Sequence, residues 1–354
     1  MNAKLWIVML ATAVLALGGG AQAVDFYWDG APDGGGSSAD NNDDTGDNWV
    51  GDVAPGDNSS NTHIYGGNPA QTTANYNGGA TTNDVDNIIF ASDLTADFKI
   101  TGDFRVTNDD PNVFQNSSRA IEIAGQYSNE PNIGGSGTGT LTMSGSVSRF
   151  NGSDGVTATI NNAGFDILWS GTIGAGNDWW KITKQGAGKV TVSGTWGMID
   201  TDDYGSDHYY LDVDAGTVEV TGTINGSVIN VNGGTFKGGS GTVGYYIDGA
   251  DSDVITLGAS GTLNISGLTI NFIELTGGVT EDEYVLVDYS AGGTLTTATN
   301  GATDDTFFNA TNLPAGYSIV NDTANSQIKL VPEPASAVLL GLGGVLIAIR
   351  RRRR

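Results

Sequence analysis

Cysteine is absent from this chain, which excludes disulfides, thiolate catalysis and cysteine-bearing metal centres. In an oxidising compartment, stability must then come from backbone pairing and burial. Histidine is almost as rare, with only His63 and His208, so imidazole chemistry has two places to occur. Basic residues are scarce in the body. Lys4 and Arg350–Arg354 hold six of the 15, leaving nine between Val24 and Val331 against 39 acidic residues. A body charged near −30 repels DNA, RNA and anionic lipid, which excludes nucleic acid as a partner. No apolar run reaches the ~20 residues of an ordinary membrane-spanning helix. The two candidates, Leu5–Leu17 and Ala335–Ile349, stop at 13 and 15.

What abounds is glycine, 54 of 354 residues, about twice the usual ~7%. With plentiful Thr, Asn, Asp and Ser it disfavours helices and supplies turns. The apolar residues are mostly Val, Ile, Phe, Tyr and Trp, the strand formers. They alternate, as in Phe98, Ile100, Phe104 and Val106 around Lys99, Thr101 and Arg105, which argues against disorder. The body is therefore expected to be all-β. Strand candidates include Asn87–Ala91, Asp97–Thr107, Ala120–Ala124, Thr157–Asn161 and Asp166–Ser170.

Both ends carry targeting patterns. Lys4, the apolar stretch Leu5–Leu17 and Ala21-Gln22-Ala23 form a secretory signal peptide over residues 1–23, cleaved after Ala23, with Ala21 and Ala23 as the small-residue cleavage positions. This implies the Sec machinery and signal peptidase as partners. At the other end come Pro332-Glu333-Pro334, then Ala335–Ile349, then Arg350, Arg351, Arg352, Arg353 and Arg354. The prolines deny a regular helix just before the apolar run, and the arginines cannot follow that run across a bilayer. Fifteen residues of helix span about 22 Å, short of the ~30 Å hydrocarbon core. A transient stop in the inner membrane fits better than a permanent anchor. The segment 332–354 resembles the PEP-CTERM sorting signal, which implies an exosortase-type membrane protease and export to the cell surface or exterior.

A repeat marks the middle of the chain. The pattern G-x-[LV]-x-[MVI]-[ST]-G occurs at Gly139–Gly145, Gly188–Gly194, Gly216–Gly222 and Gly261–Gly267, with a decayed relative at Gly234–Gly238. Each copy puts two apolar side chains on one face of a short strand bounded by glycines. Such strands bury that face by stacking, as in a β-solenoid, with an antiparallel β-sandwich as the alternative. Start-to-start spacings of 49, 28, 18 and 27 residues imply loops of variable length or coils without the motif. The stretch Ile182-Thr183-Lys184-Gln185-Gly186-Ala187-Gly188-Lys189-Val190-Thr191-Val192-Ser193-Gly194, with Asp214–Val220 after it, resembles the autotransporter-associated β-strand repeat. That resemblance implies a right-handed parallel β-helix exposed on the cell surface. The Tyr27-Trp28-Asp29-Gly30 opening and Trp49 are similar to exported proteins that combine this repeat with the PEP-CTERM tail. The expected organisation is a loop-rich β part over 24–130, the repeat region over 131–270, a closing β segment over 271–331, and the tail.

Candidate chemistry in the body is thin. His208 lies in the acidic segment Asp202–Tyr210, but no G-x-S-x-G elbow surrounds any serine, so no catalytic residue is assigned. The weak calcium candidates Asn41, Asp43, Thr45, Asp47 and Asp52 place Gly46 at the sixth position of a calcium loop, but an aspartate stands where glutamate is usual. Gly134-Gly135-Ser136-Gly137 begins like a calcium β-roll, except that Gly139 occupies an aspartate position. No cofactor is expected apart from this calcium. The pairs Trp179-Trp180, Tyr209-Tyr210 and Tyr245-Tyr246 could stack on sugars, with one ring of each pair buried and the other exposed. The expected function is a non-enzymatic surface or matrix protein, in adhesion or associated with exopolysaccharide or biofilm. The alternative is a secreted polysaccharide-active β-helix enzyme, lyase or glycoside hydrolase, or a carbohydrate-binding protein.

Overall fold

A computed structural model describes residues 24–28, 61–76, 84–106, 112–125, 127–128, 132–148, 156–174, 180–197, 210–226, 228–296 and 309–333. Among these every regular element is a strand, and there is no helix. The strands form three long sheets of 13, 10 and 11 members, called A, B and C in the order the chain visits them. A strand in A is followed by one in B, then one in C, and each pairs with its counterpart one coil later. Lys189–Val192 of sheet B, for example, lies parallel to Thr217–Val220 with Val190 beside Val218. Sheet B gives one strand to each coil, so its 10 strands count ten coils. At ~4.8 Å per coil they stack to roughly 45 Å. Parallel pairing from coil to coil in all three sheets is what a solenoid requires, with antiparallel pairs only at Asp251–Ser252 and in the closing strands of sheet A; the sandwich alternative, built from antiparallel sheets, does not fit it.

All copies of the repeat fall in sheet B, as Thr140–Met143, Lys189–Val192, Thr217–Val220, Thr235–Lys237 and Thr262–Asn264. The 49-residue spacing is two coils. The intervening strand, Asp166–Trp169, has the buried Phe165 where the leading glycine would be. The other spacings vary because connections differ by corner. From sheet B to C, most coils use only a few residues, as between Val192 and Thr195. From C to A, the chain takes 12 residues between Gly197 and Tyr210 but only two between Asn225 and Val228.

The glycines closing the first three copies of the repeat, Gly145, Gly194 and Gly222, are fixed by proximity rather than by turn geometry, whereas Gly267 combines a close approach with a φ of 76°. A β-carbon on Gly125 would collide with the carbonyl of Gly102. Gly145 stands in the same relation to Gly125, Gly171 to Gly145, Gly194 to Gly171, and Gly222 to Gly194. Coils approach so closely at the B–C corner that only glycine fits. Gly102 also needs its φ of 81°. It splits the expected strand Asp97–Thr107 into Phe98–Gly102 on sheet B and Phe104–Val106 on sheet C.

Inside, side chains form columns along the stack. One runs through Ile121, Leu141, Ile167, Val190, Val218, Phe236 and Leu263 in register, all buried. Trp169 and Trp196 meet edge to face across the lumen, with ring centroids 5.4 Å apart. Truncating one member of such a column costs about 2–5 kcal/mol, because the coils above and below hold the cavity open. At the amino end Val24–Trp28 adds one parallel strand to sheet A beyond Asn61–Tyr65. At the other end the direction reverses. Gln327–Pro332 pairs antiparallel with Tyr284–Asp288, and Tyr317–Asp322 pairs antiparallel with Gln327–Pro332.

Candidate functional site

The outer face of sheet B carries a column of one residue per coil: Thr73, Lys99, Glu122, Thr142, Leu168, Thr191, Glu219, Lys237, Asn264 and Thr296. Parallel register sets these side chains one coil apart, close enough to pair. Lys99 meets Glu122 at 3.1 Å, and Glu219 sits between Lys237 at 2.8 Å and Lys189 at 3.2 Å. The hydrogen bond from Lys237 is the main reason the Glu219 carboxyl is held below the usual range, and the Ser144 hydroxyl does the same for Glu122. On sheet A, Lys181 pairs with the nearly buried Asp212, which also accepts from Asn230 at 2.8 Å. Lys329 lies between Glu283 and Asp322. Thus Lys99, Lys181, Lys189, Lys237 and Lys329 each neutralise acids of this chain.

Lys184 is different. It stands in register with the inward-facing Ile160 and Val213, and it is buried. Its ammonium donates to the carbonyl of Gly186 and, one coil later, to that of Ala215 at 3.2 Å. Burial pushes its pKa down to about 8. Gln115 and Asn162 do similar work at the same A–B corner. Gln115 Nε2 donates to Arg119 O and Thr140 O, and Asn162 Nδ2 donates to Phe165 O and Lys189 O. These are inter-coil staples for turn carbonyls that would otherwise be buried without partners.

A groove of about 390 Å³ lies outside the first coils, lined by Tyr27, Ile64, Asn68, Pro69, Ala91 and Asp93 among others. Tyr27 is 51% exposed at its wall, while Trp28 beside it turns inward and donates from Nε1 to Gln71 O at 3.0 Å. An exposed phenol ring, a carboxylate and a carboxamide around one depression can stack on a sugar ring and bond its hydroxyls. The sequence singles out Tyr27 as part of an aromatic opening. Nothing in its pattern points to Asp93, which reaches the groove only because the A–B corner of the second coil turns there.

His63 is buried and its Nδ1 lies 2.7 Å from Tyr76 Oη, itself 2.8 Å from Tyr65 Oη. Burial lowers its pKa to about 3, so it is a neutral member of the core. The expectation for paired aromatics is corrected at Tyr245-Tyr246, where both rings are buried. Their strand, Thr242–Gly249, extends beyond its pairing with Thr223–Asn225 and is paired at its edges by Asp251–Ser252 and Thr269–Val279; burial of both neighbouring rings shows that each of its faces is covered. Trp179, Tyr209 and His208 lie outside the described residues, as do the calcium candidates Asn41, Asp43, Thr45, Asp47 and Asp52. Among the described residues no group of three or more His, Asp or Glu could hold a metal ion. The β-roll resemblance meets a physical bar. A side chain at Gly139 would strike the backbone of Arg119, so the aspartate it lacks could not fit.

Of the sorting residues, Pro332 and Glu333 are described. Pro332 is the last residue of strand Gln327–Pro332, opposite Tyr317, and the Glu333 amide donates to Gly316 O at 2.7 Å. Ala21, Ala23, Pro334, Ala335–Ile349 and Arg350–Arg354 lie outside the described residues. Comparison of the chain with protein-family models, with curated proteins and with solved structures gives no match.

Proposed function

We propose that the chain is an exported, non-enzymatic structural protein of the cell surface or extracellular matrix, with an adhesive or exopolysaccharide-associated role. In this reading residues 1–23 are removed by signal peptidase, and residues 332–354 are a PEP-CTERM signal processed by an exosortase-type protease at the inner membrane. The parts 24–130, 131–270 and 271–331 then form one right-handed parallel β-helix of passenger type. The observation that carries the reading is the coil-by-coil parallel stack itself, whose described strands, Val24–Trp28 through Gln327–Pro332, lie between the A-x-A site and the tail. A stacked rod with its lysines committed to its own acids suits a load-bearing surface element. It offers little free positive charge for cleaving a polyanion.

Intact mass spectrometry of the surface-extracted protein tests the sorting reading. The expected species begins at Val24 and lacks Arg350–Arg354. A species ending at Arg354 would make the tail a plain membrane anchor. A second reading, carbohydrate binding, is favoured by the groove at Tyr27 and Asp93. A glycan array with the surface-extracted protein decides it, and incubation with the same polysaccharides covers the enzymatic alternative, since released oligosaccharide would sink the structural role.

A further inference from the structure

Strand Tyr317–Asp322 is the edge of sheet A. It pairs on one side with Gln327–Pro332 in unbroken antiparallel register, and no described strand pairs on its other side. Such an edge presents a row of unpaired N–H and C=O groups, which soluble sheets ordinarily blunt with lysine, proline, a bulge or a cover. Tyr317-Ser318-Ile319-Val320-Asn321-Asp322 contains neither lysine nor proline, and its register has no bulge. Its one charge, Asp322, is engaged by Asn325 at 2.7 Å and Lys329 at 3.1 Å. The lysine and the proline stand one strand further in, as Lys329 and Pro332. Four large apolar side chains are exposed among the described residues, and two are here: Val320 on the strand and Leu313 just before it.

We infer that Tyr317–Asp322 is a self-association edge, and that its partner is the same strand of a second copy of this chain. An edge strand meets its own copy antiparallel about a twofold axis perpendicular to the sheet. Residues facing each other across that axis share a face, so the axis must pass through one residue. With the axis at Val320, the outer face places Val320 against its counterpart and Ser318 against Asp322 of the second copy. Apolar then meets apolar, a hydroxyl faces a carboxylate, and no two carboxylates oppose each other. Moving the axis to Ile319 would set Val320 against Ser318, while Ile319 itself is already buried. The complementarity is internal to the six residues, which favours a copy over an unrelated strand. One pair of short strands covers less than the ~1,200 Å² of standard stable interfaces, so the association is weak and fills where copies are concentrated.

Because the chain has no cysteine, Val320→Cys introduces a single thiol. Directly opposed antiparallel residues lie within disulfide reach. Mild oxidation of the full chain in detergent should give a disulfide-linked dimer from Val320→Cys. Little should form from Leu168→Cys, a similarly exposed position on sheet B. Val320→Lys would set two ammonium groups face to face and should weaken self-association in sedimentation by about tenfold or more. Its circular dichroism melt should match wild type, since the position is exposed. Equal cross-linking at 168 and 320, no cross-link at 320, or unchanged sedimentation of Val320→Lys would each overturn the inference.

Discussion

At Lys184 an ammonium replaces a core methyl. The alternation of Ile182 and Lys184 in the strand sends both inward, and the lysine remains because two turn carbonyls in successive coils need a donor. Lys184→Ala should cost on the order of 2–4 kcal/mol, from lost stem packing and two unsatisfied carbonyls. A denaturant midpoint shift checks this. His63 makes a pH prediction. Its folded pKa of about 3 lies below the ~6.5 of an unfolded histidine, so between those values the unfolded chain binds a proton that the folded chain refuses. Its contribution is complete above pH 6.5 and is lost as pH falls towards 3, amounting to a few kcal/mol, about 1.4 per unit of pKa difference. Thermal melts at pH 7 and 4.5 should therefore diverge more for wild type than for His63→Gln. Equal divergence would remove histidine from the acid limb.

Among the elements, the corners carry the specificity. Gly194→Ala would drive a methyl into the Gly171 carbonyl of the neighbouring coil, whereas a methyl on Gly174 finds its nearest atom 3.8 Å away. The first substitution should destabilise by several kcal/mol and the second by less than about 1 kcal/mol, measured as denaturant midpoints. This pair also shows what was legible in the sequence. The repeat revealed sheet B because its strands alternate cleanly and end on glycine. Sheets A and C were harder to read. Strands such as Ile133–Gly134 and Val147–Ser148 have two residues, too few for any period to show. The inward direction of Lys184, Gln115 and Asn162 was hidden for another reason, since polar residues at strand ends ordinarily signal turns. The groove was least legible, because Tyr27 and Asp93 meet only through stacking. Tyr245 and Tyr246 misled because their strand extends beyond its pairing with Thr223–Asn225 and is covered on both faces.

For the whole molecule, charge is the dominant liability. A body near −30 repels itself, and screening should relieve that strain. Raising monovalent salt from low to moderate should therefore raise the melting temperature. Calcium at matched ionic strength should add little, and a clear excess shift reversed by chelator would establish a specific calcium site. The stacking has a temporal consequence too. Each coil touches mainly the one before it, through partners such as Lys184 and Val213 that are about one coil apart in sequence. A chain leaving a channel amino end first can lay each turn onto a finished template, without waiting for distant segments. Only the final hairpin breaks this rhythm. Tyr284–Asp288 must wait for Gln327–Pro332 to arrive and run backwards along it. Closure of this end of the rod is thus a late event, which must await the last described strand, Gln327–Pro332.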